Sequence, residues 1–288
     1  MVYIVIKDYL RLVRWDKPIG TLLLLWPTLW GGWIAYQGAP PFSILFVFVM
    51  GVFLTRAAGC AINDFADRNF DGKVERTANR PLATGAIRPR SALVVTVVLS
   101  LAAFGLAWAF LQQSTLLWSI PALFLFVTYP FFKRFFPIPQ LYLGVAFSFG
   151  IPMAFIEALN YIPMVAWLLF AANILWVLAY DTIYALVDLP DDLKIGIKTS
   201  AITFGSKVIE IIMLSYLGFI GLLILLGCLI NAGIFYWLSL LIASAMIYYI
   251  YTQIKDHERG KCFRAFLLNN RVGLIVFVGI MINYWLVK

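Results

Sequence analysis

Nine apolar segments, each about as long as a membrane is thick, dominate this sequence of 288 residues. They cover roughly 19–37, 41–66, 91–112, 115–132, 139–157, 162–186, 203–229, 232–252 and 266–287. A helix needs about 20 apolar residues to cross the hydrocarbon core, and a chain in lipid must satisfy its backbone hydrogen bonds internally. The segments therefore predict an all-α polytopic membrane protein. We expect one domain over residues 1–288, a bundle of nine transmembrane helices around a central cavity that faces the cytoplasm.

The composition excludes several other classes of protein. Hydrophobic residues make up 63% of the chain and charged residues 12%, whereas soluble domains carry about 25% charged residues. This excludes a soluble enzyme and a disordered chain. The spacing of the three cysteines does not suggest a disulfide framework, and the single histidine, His257, excludes a mechanism that needs two histidines.

The basic residues are distributed unevenly between the two sides of the predicted bundle. Of the 22 lysines and arginines, all but Arg56 and Lys288 lie in the N-terminal segment, in the loops at about 67–90, 133–138, 187–202 and 253–265, or at the adjoining helix ends. The positive-inside rule places these loops and the N-terminus in the cytoplasm. This asymmetry also explains the net charge of +8, so no nucleic-acid partner is expected.

Two clusters of polar and acidic residues lie at the ends of the second and the sixth apolar segments and continue beyond them. The first contains Asn63, Asp64, Asp67 and Asp71, and the second contains Asp181, Asp188, Asp191 and Asp192. An Asp-x-x-x-Asp pair in the first cluster recurs 121 residues later in the second. On a helix, the members of each cluster would share one face. The repetition indicates a duplicated helical unit that brings two pairs of carboxylates to one cavity.

These carboxylates need a counter-charge because like charges on one helix face repel. Ligands that are all oxygen suit a hard cation, and Mg²⁺ is usually bound by one or two carboxylates together with substrate phosphates. Arg76 and Arg80 follow the first cluster, and Lys194 and Lys198 follow the second. The pattern indicates a metal-bridged diphosphate site, whereas solvated, charge-balanced loops are the alternative. Pro190 predicts that the second pair of aspartates does not share a regular helical turn, since proline tends to break helices.

At these residues the chain resembles the UbiA superfamily of intramembrane prenyltransferases. The stretch Asn63-Asp64-x-x-Asp67-x-x-x-Asp71, followed by 76–82 (RTANRPL), is similar to the first signature of that family, and 180–199 resembles the second. The residues Tyr129-Pro130 with Lys133-Arg134 also match. The resemblance covers nearly the whole chain and is closest to the 4-hydroxybenzoate branch.

The resemblance implies an activity and a set of site residues. A polyprenyl diphosphate would donate its chain to the ring carbon ortho to the hydroxyl of 4-hydroxybenzoate, in ubiquinone biosynthesis at a bacterial inner membrane. Mg²⁺ would be held by Asn63, Asp67, Asp71, Asp188 and Asp192, with Asp64 and Asp181 completing the catalytic set. The diphosphate and prenyl cation would be bound by Tyr129, Lys133, Arg76, Arg80, Tyr184 and Lys198. Protein and donor would both contact membrane lipid.

Arg56 lies deep inside the second apolar segment, seven residues before Asn63. An intramembrane arginine is costly and requires a partner. Its guanidinium matches the carboxylate of 4-hydroxybenzoate, but an ion pair with Asp64 or Asp181 is an equal alternative. Asp181 would orient the phenol or accept its proton, unless it serves as this partner.

Two other functions fit parts of the pattern. A prenyltransferase of the same type could use another acceptor, such as haem, homogentisate or a naphthoate. A cation-coupled transporter could use the carboxylates as an ion pathway, but transporters place such sites near the bilayer midplane. Most of the aspartates here lie at helix ends, which favours the enzyme.

Overall fold

The computed structural model describes residues 2–132 and 134–286, and the side chains from Ile6 onward. Lys133, one of the expected diphosphate ligands, lies outside the described residues. The helices are α1 Val2–Leu12, α2 Ile19–Ala35, α3 Phe42–Asp67, α4 Pro89–Phe110, α5 Gln113–Phe132, α6 Pro139–Ser148, α7 Gly150–Leu159, α8 Met164–Ile195, α9 Ser200–Phe204, α10 Val208–Leu229, α11 Ile234–Ile254 and α12 Arg259–Leu286. The all-α prediction is confirmed, and no strand occurs in the described ranges.

Eight helical stretches of the described chain are long and apolar enough to cross a membrane. They correspond to α3, α4, α5, α6 with α7, α8, α9 with α10, α11 and α12. The first expected span, α2, has 17 residues, which is the short end of the range for a membrane-crossing helix. The protein is therefore a multi-pass membrane protein, and the count of nine stays a prediction.

The first acidic cluster is only partly helical, which corrects the expectation that its four members share one helix face. Helix α3 ends at Asp67, and Asp71 begins a separate 3₁₀ turn, Asp71–Lys73. The Phe70 amide donates to the Asp67 carbonyl over 2.7 Å, a tight turn typical of a helix end. The weak helix formers Asn69 and Gly72 explain why the helix does not continue.

The second acidic cluster is helical throughout, so the expectation drawn from Pro190 is wrong. Helix α8 continues from Met164 to Ile195 with Pro190 inside it. A proline removes one backbone hydrogen bond, but the ring here is exposed to solvent near the end of a 32-residue helix. Packing over the preceding turns holds the helix together. Asp188 and Asp192 therefore lie one turn apart on the same face.

Helix α8 lies at the centre of the bundle and packs against α6, α10 and α12. Its Trp176 is fully buried between Trp30 of α2 and Phe219 of α10, with ring centroids 5.1 and 5.8 Å away. The indole of Trp176 also donates to Asn269 Oδ1 of α12 over 3.0 Å. Because successive spans run antiparallel, the C-terminal ends of α3 and α8 lie at the same end of the bundle.

Helix α1 was not among the predicted elements, because it is too short and too charged to resemble a membrane span. It lies against the end of α3 and the segment that follows α3. Leu12 is fully buried there among apolar side chains of α3, of the segment after it and of the start of α4, namely Ala61, Leu82, Ile87 and Ala92. The N-terminal segment is thus packed against the end of the bundle that carries the acidic clusters.

Candidate functional site

The two acidic clusters meet through a bidentate ion pair. Arg76, from the segment after α3, donates through Nε to both carboxylate oxygens of Asp188 on α8, at 3.0 and 3.1 Å. Its Nη2 also donates to Asp188 Oδ2. The guanidinium carbon lies 4.5 Å from the ring centroid of Tyr184, one turn earlier on α8. Segments 112 residues apart in sequence therefore form one site.

The first cluster is buried and strongly charged. The side-chain amide of Asn63 donates to Asp67 Oδ2 over 3.2 Å. Asp64, Asp67 and Asp71 are between 0 and 5% exposed. Arg80 Nη1 donates to both carboxylate oxygens of Asp71, at 3.0 and 2.9 Å, and lies 3.1 Å from Asp64 Oδ1. This guanidinium thus contacts two buried carboxylates, those of Asp71 and Asp64, at once.

Burial and the neighbouring charges together shift the pKa values of Asp71 and Arg80. Burial raises the pKa of Asp71; Arg80 opposes the shift, while Asp67 and Asp64 add to it. Burial works against the charge of Arg80, but Asp64 and Asp71 outweigh it and raise the pKa of that guanidinium. Because the anionic form of Asp71 is disfavoured in this way, a further cation beside it would stabilise that form.

The second cluster is held in place by Arg259 at the start of α12. Arg259 Nη2 donates to Asp191 Oδ2 over 2.9 Å, and its Nε donates to the Val187 carbonyl over 2.7 Å. Its Nη1 donates to Glu75 of the first segment over 3.2 Å. Asp191 is therefore occupied in a link between helices, whereas Asp188 and Asp192 are buried in the site. Sequence reasoning missed Arg259, because nothing in its spacing distinguishes it from other basic loop residues.

The donor set fits Mg²⁺ that is carried with a diphosphate. In the described part of the chain, no three side chains of His, Cys, Asp or Glu are close enough together to hold a metal by themselves. Mg²⁺ typically needs only one or two carboxylates, since water and phosphate oxygens complete its shell. The buried Oδ2 of Asp64 has no hydrogen-bond partner among the described residues, so this end of the bundle retains acceptor capacity.

Arg56 lies deeper, where α3 packs against the start of α2. Its guanidinium is so close to Gly20 that a methyl group on Gly20 would lie 2.5 Å from Nη2. The Nε atom is buried and has no hydrogen-bond partner among the described residues. The expected alternative of an ion pair with Asp64 is wrong, because Asp64 pairs with Arg14 at 2.6 Å and with Arg80.

The remaining candidates are divided between the site and its surroundings. Tyr129 of α5 lies within electrostatic range of Arg56 and Asp181, which places the three around the same interior region. Lys198 is instead exposed and donates to the Phe135 carbonyl over 3.1 Å, rather than to either acidic cluster. Its contact supports the loop before α6.

A separate cavity of about 560 Å³ opens at the other end of the bundle. Its walls include Ile34, Phe155, Leu159 and Tyr284, at or near the far ends of their helices. Among the described residues, no carboxylate side chain lines it. This cavity is therefore not the candidate site for a metal and a diphosphate.

A helical membrane bundle with paired aspartates and interleaved arginines at one end defines a membrane-embedded enzyme that acts on a diphosphate ester. The comparison with known families identifies it further. The chain belongs to the UbiA prenyltransferase family, whose model matches residues 24–273.

Two relatives match nearly the whole of this chain. The 4-hydroxybenzoate octaprenyltransferase of Nitrosomonas eutropha is 56% identical over 275 residues, 96% of each chain. The protein of the same name from Neisseria meningitidis serogroup C is 55% identical over 280 residues, covering 97% of this chain and 94% of its own.

Solved structures show the same fold. The apo structure of a UbiA homolog from Aeropyrum pernix K1 has a TM-score of 0.80 at 26% identity and covers 92% of this chain and 98% of its own. A UbiA homolog from Archaeoglobus fulgidus bound to GPP and Mg²⁺ has a TM-score of 0.73 at 17% identity and covers 95% of this chain and 99% of its own. The latter likeness concerns the fold alone.

Proposed function

We propose that this protein transfers a polyprenyl chain from its diphosphate to the ring carbon ortho to the hydroxyl of 4-hydroxybenzoate. The ion pair between Arg76 and Asp188 is the observation that carries the proposal, because it assembles acidic and basic groups from two distant segments into one site. The names of relatives at 55 to 56% identity support the choice of acceptor.

The difficult step is the breaking of the allylic C–O bond, which leaves negative charge on the departing diphosphate. Asp67 with Asp71, and Asp188 with Asp192, would hold Mg²⁺, which when bound neutralises that charge. Arg76 and Arg80 supply donors to the diphosphate oxygens.

The acceptor pocket would lie deeper in the bundle, where Arg56 is found. The unpaired Nε of Arg56 is available to the acceptor carboxylate, and a planar guanidinium can bind a carboxylate through two hydrogen bonds. Asp181, on the same helix as the second cluster, would accept the proton from the phenol or the ring. Tyr129 would present an aromatic face that stabilises an allylic cation and excludes water, and Tyr184, whose ring faces the Arg76 guanidinium in this structure, would join it once Arg76 turns to the diphosphate.

The proposed function includes an orientation of the protein in the membrane. The acidic clusters and basic loops would face the cytoplasm of a bacterium, and the chain would span the inner membrane. Both expected substrates would then enter from the cytoplasmic side, the donor with its chain in the lipid. The whole chain would act as one catalytic domain.

The test uses purified full-length protein in lipid nanodiscs with 4-hydroxybenzoate, Mg²⁺ and geranyl, farnesyl or octaprenyl diphosphate. We expect 3-prenyl-4-hydroxybenzoate by mass spectrometry and NMR, and no product when Mg²⁺ is chelated. Benzoate is the matched control, because without its hydroxyl the ring is not activated. Failure with all three donors, together with Mg²⁺-independent solute flux into liposomes, would contradict the proposal and favour a transporter. Preferential prenylation of homogentisate, a naphthoate or haem would keep the donor chemistry and change the acceptor.

A further inference from the structure

An arginine that precedes the first apolar helix reaches into the acidic site. Arg14 follows α1 in the left-handed backbone conformation, with φ of 58°. For a residue with a side chain this conformation costs about 1–2 kcal/mol, so surrounding contacts must stabilise it. Arg14 Nη1 donates to the Arg11 carbonyl over 2.7 Å, and Nη2 donates to Asp64 Oδ1 over 2.6 Å.

Asp64 depends on this contact because its carboxylate is entirely buried. A buried charge is strongly destabilising unless it is paired, and removing one partner leaves the other uncompensated. The same oxygen of Asp64 lies 3.1 Å from Arg80 Nη1. Two guanidinium groups therefore share one carboxylate oxygen.

Arg80 also serves Asp71, so the charges form a chain of four. Arg80 Nη1 donates to Asp71 at 2.9 and 3.0 Å while lying beside Asp64. The order Arg14, Asp64, Arg80, Asp71 alternates in sign. Without Arg14, Asp64 would compete with Asp71 for the single remaining guanidinium.

Packing fixes Arg14 in this position. Leu12 is fully buried against α3 and the segment after it. Arg11 Nη2 donates to the Asn79 carbonyl over 2.6 Å, next to Arg80 in the chain. The end of α1 is therefore attached to the same segment that supplies Arg76 and Arg80, and Arg14 differs from the exposed Lys17 nearby.

We propose that Arg14 is a positioning residue of the diphosphate site: it neutralises Asp64 and so keeps Arg80 centred on Asp71, where the metal-bound diphosphate is received. The inference rests on the proposed function only in taking a diphosphate as the ligand. Arg14 acts through Asp64 and Arg80 and need not touch the substrate.

The test measures binding, separately from turnover. Titration calorimetry with geranyl thiolodiphosphate, a stable analogue of the donor, and Mg²⁺ gives the Kd of the full-length protein and its variants. We expect Arg14→Gln to weaken binding by about 10-fold or more, as for loss of one member of a coupled charge network. Lys17→Gln, which removes the same charge from an exposed site, should stay within about twofold.

A conservative variant and a double variant separate positioning from a general loss of structure. Arg14→Lys restores the charge and should recover much of the affinity that Arg14→Gln loses. Arg14→Gln is also combined with Asp64→Asn in a double-mutant cycle. The double variant should bind the analogue more tightly than the product of the two single losses predicts, because the Asp64 carboxylate that Arg14 neutralises is no longer present. Losses that simply multiply, or an unchanged Kd for Arg14→Gln, would overturn the inference.

The outcome is distinguishable from failure of the proposed function. A protein that binds the thiolodiphosphate through Arg14 but does not prenylate 4-hydroxybenzoate would contradict the acceptor and leave this inference intact. If the protein prenylates 4-hydroxybenzoate normally and Arg14→Gln leaves the Kd unchanged, the proposed function stands and the role of Arg14 is contradicted.

Discussion

Arginine side chains hold two of the aspartates from which the metal-binding pairs are proposed. Arg76 forms an ion pair with Asp188, and Arg80 forms one with Asp71. A metal-bound diphosphate brings positive charge for the aspartates and negative charge for the arginines. The site can therefore exchange its internal ion pairs for contacts with the ligand at little electrostatic cost.

The aspartates of the two clusters should differ in importance. Asp67→Ala removes a proposed metal ligand and should lower kcat by about 100-fold or more, as expected for loss of charge stabilisation in a transition state. Asp191→Ala breaks the contact with Arg259 at the edge of the site and should lower kcat by less than about 10-fold. Product formation at saturating Mg²⁺ measures both. Equal losses would contradict the assignment of metal ligands.

Arg56 should affect the acceptor rather than the donor. Arg56→Ala removes the guanidinium proposed to bind the carboxylate, so we expect the KM for 4-hydroxybenzoate to rise by about 10- to 100-fold. The Kd for geranyl thiolodiphosphate should change little, since Arg80 and Arg76 remain. The matched acceptor 4-hydroxybenzaldehyde has no carboxylate, so its KM should change much less in Arg56→Ala. A rise in donor KM alone would instead indicate a structural ion pair with Asp181.

Single residues were the hardest part to predict from sequence. The aspartate clusters stand out because they recur, and Arg56 because it interrupts an apolar segment. Arg14 and Arg259 carry no such signal, since the basic N-terminus and loops are already explained by membrane orientation. Their roles depend on partners 50 and 68 residues away, which spacing along the chain does not reveal.

At the scale of elements, helices α2 and α7 approach closely where glycines allow it. A methyl group on Gly150 would lie 2.3 Å from Thr28 Oγ1 and 3.1 Å from Thr28 Cβ. Gly31 is similarly close to the Ile151 backbone. The hydroxyl of Thr28 is held by the Leu24 carbonyl at 3.1 Å, so it cannot turn away freely.

Gly150→Ala should therefore destabilise the bundle. We expect a cost of about 1–3 kcal/mol from overpacking, seen as a lower Tm in detergent by scanning fluorimetry. Gly51→Ala is the matched control: Gly51 lies in α3 with nothing within 4 Å of an added methyl group, and alanine favours helix. Its Tm should be unchanged or higher. A Tm for Gly150→Ala equal to that of Gly51→Ala would mean that α2 and α7 can separate easily.

Hydropathy predicts the elements inside the membrane better than those at its edges. The expected sixth segment ends at 186, whereas α8 continues to Ile195 and carries the second acidic cluster with it. The expected segment 139–157 consists of two helices, α6 and α7, that meet at Phe149. Hydropathy falls where charged residues begin, whether or not the helix continues, so apolar length cannot show where such a helix stops.

At the scale of the whole molecule, the basic loops and the acidic clusters lie at one end of an antiparallel bundle. This arrangement was predicted from the alternation of charged and uncharged loops. Whether two loops share a side depends only on the number of membrane crossings between them. It requires no knowledge of how the helices pack. Which end faces the cytoplasm is a prediction of the charge asymmetry.

Labelling from outside the cell tests the orientation. In a variant whose three natural cysteines are replaced, cysteine is introduced for Tyr161 or for Lys255, which are exposed at opposite ends of the bundle. A membrane-impermeant maleimide should label Tyr161→Cys in intact spheroplasts and Lys255→Cys only after the membrane is opened. The reverse pattern would place the acidic clusters outside the cytoplasm.

The link made by Arg259 has a mechanical consequence. This side chain joins α12 to the carbonyl of Val187, to Asp191 and, through Glu75, to the segment after α3. Helix α12 is thus tied both to α8 and to the segment after α3, which are the two parts of the chain that carry the acidic clusters. Any separation of α8 from the segment after α3 must break hydrogen bonds of this one side chain, so we expect these two parts of the site to move together with α12.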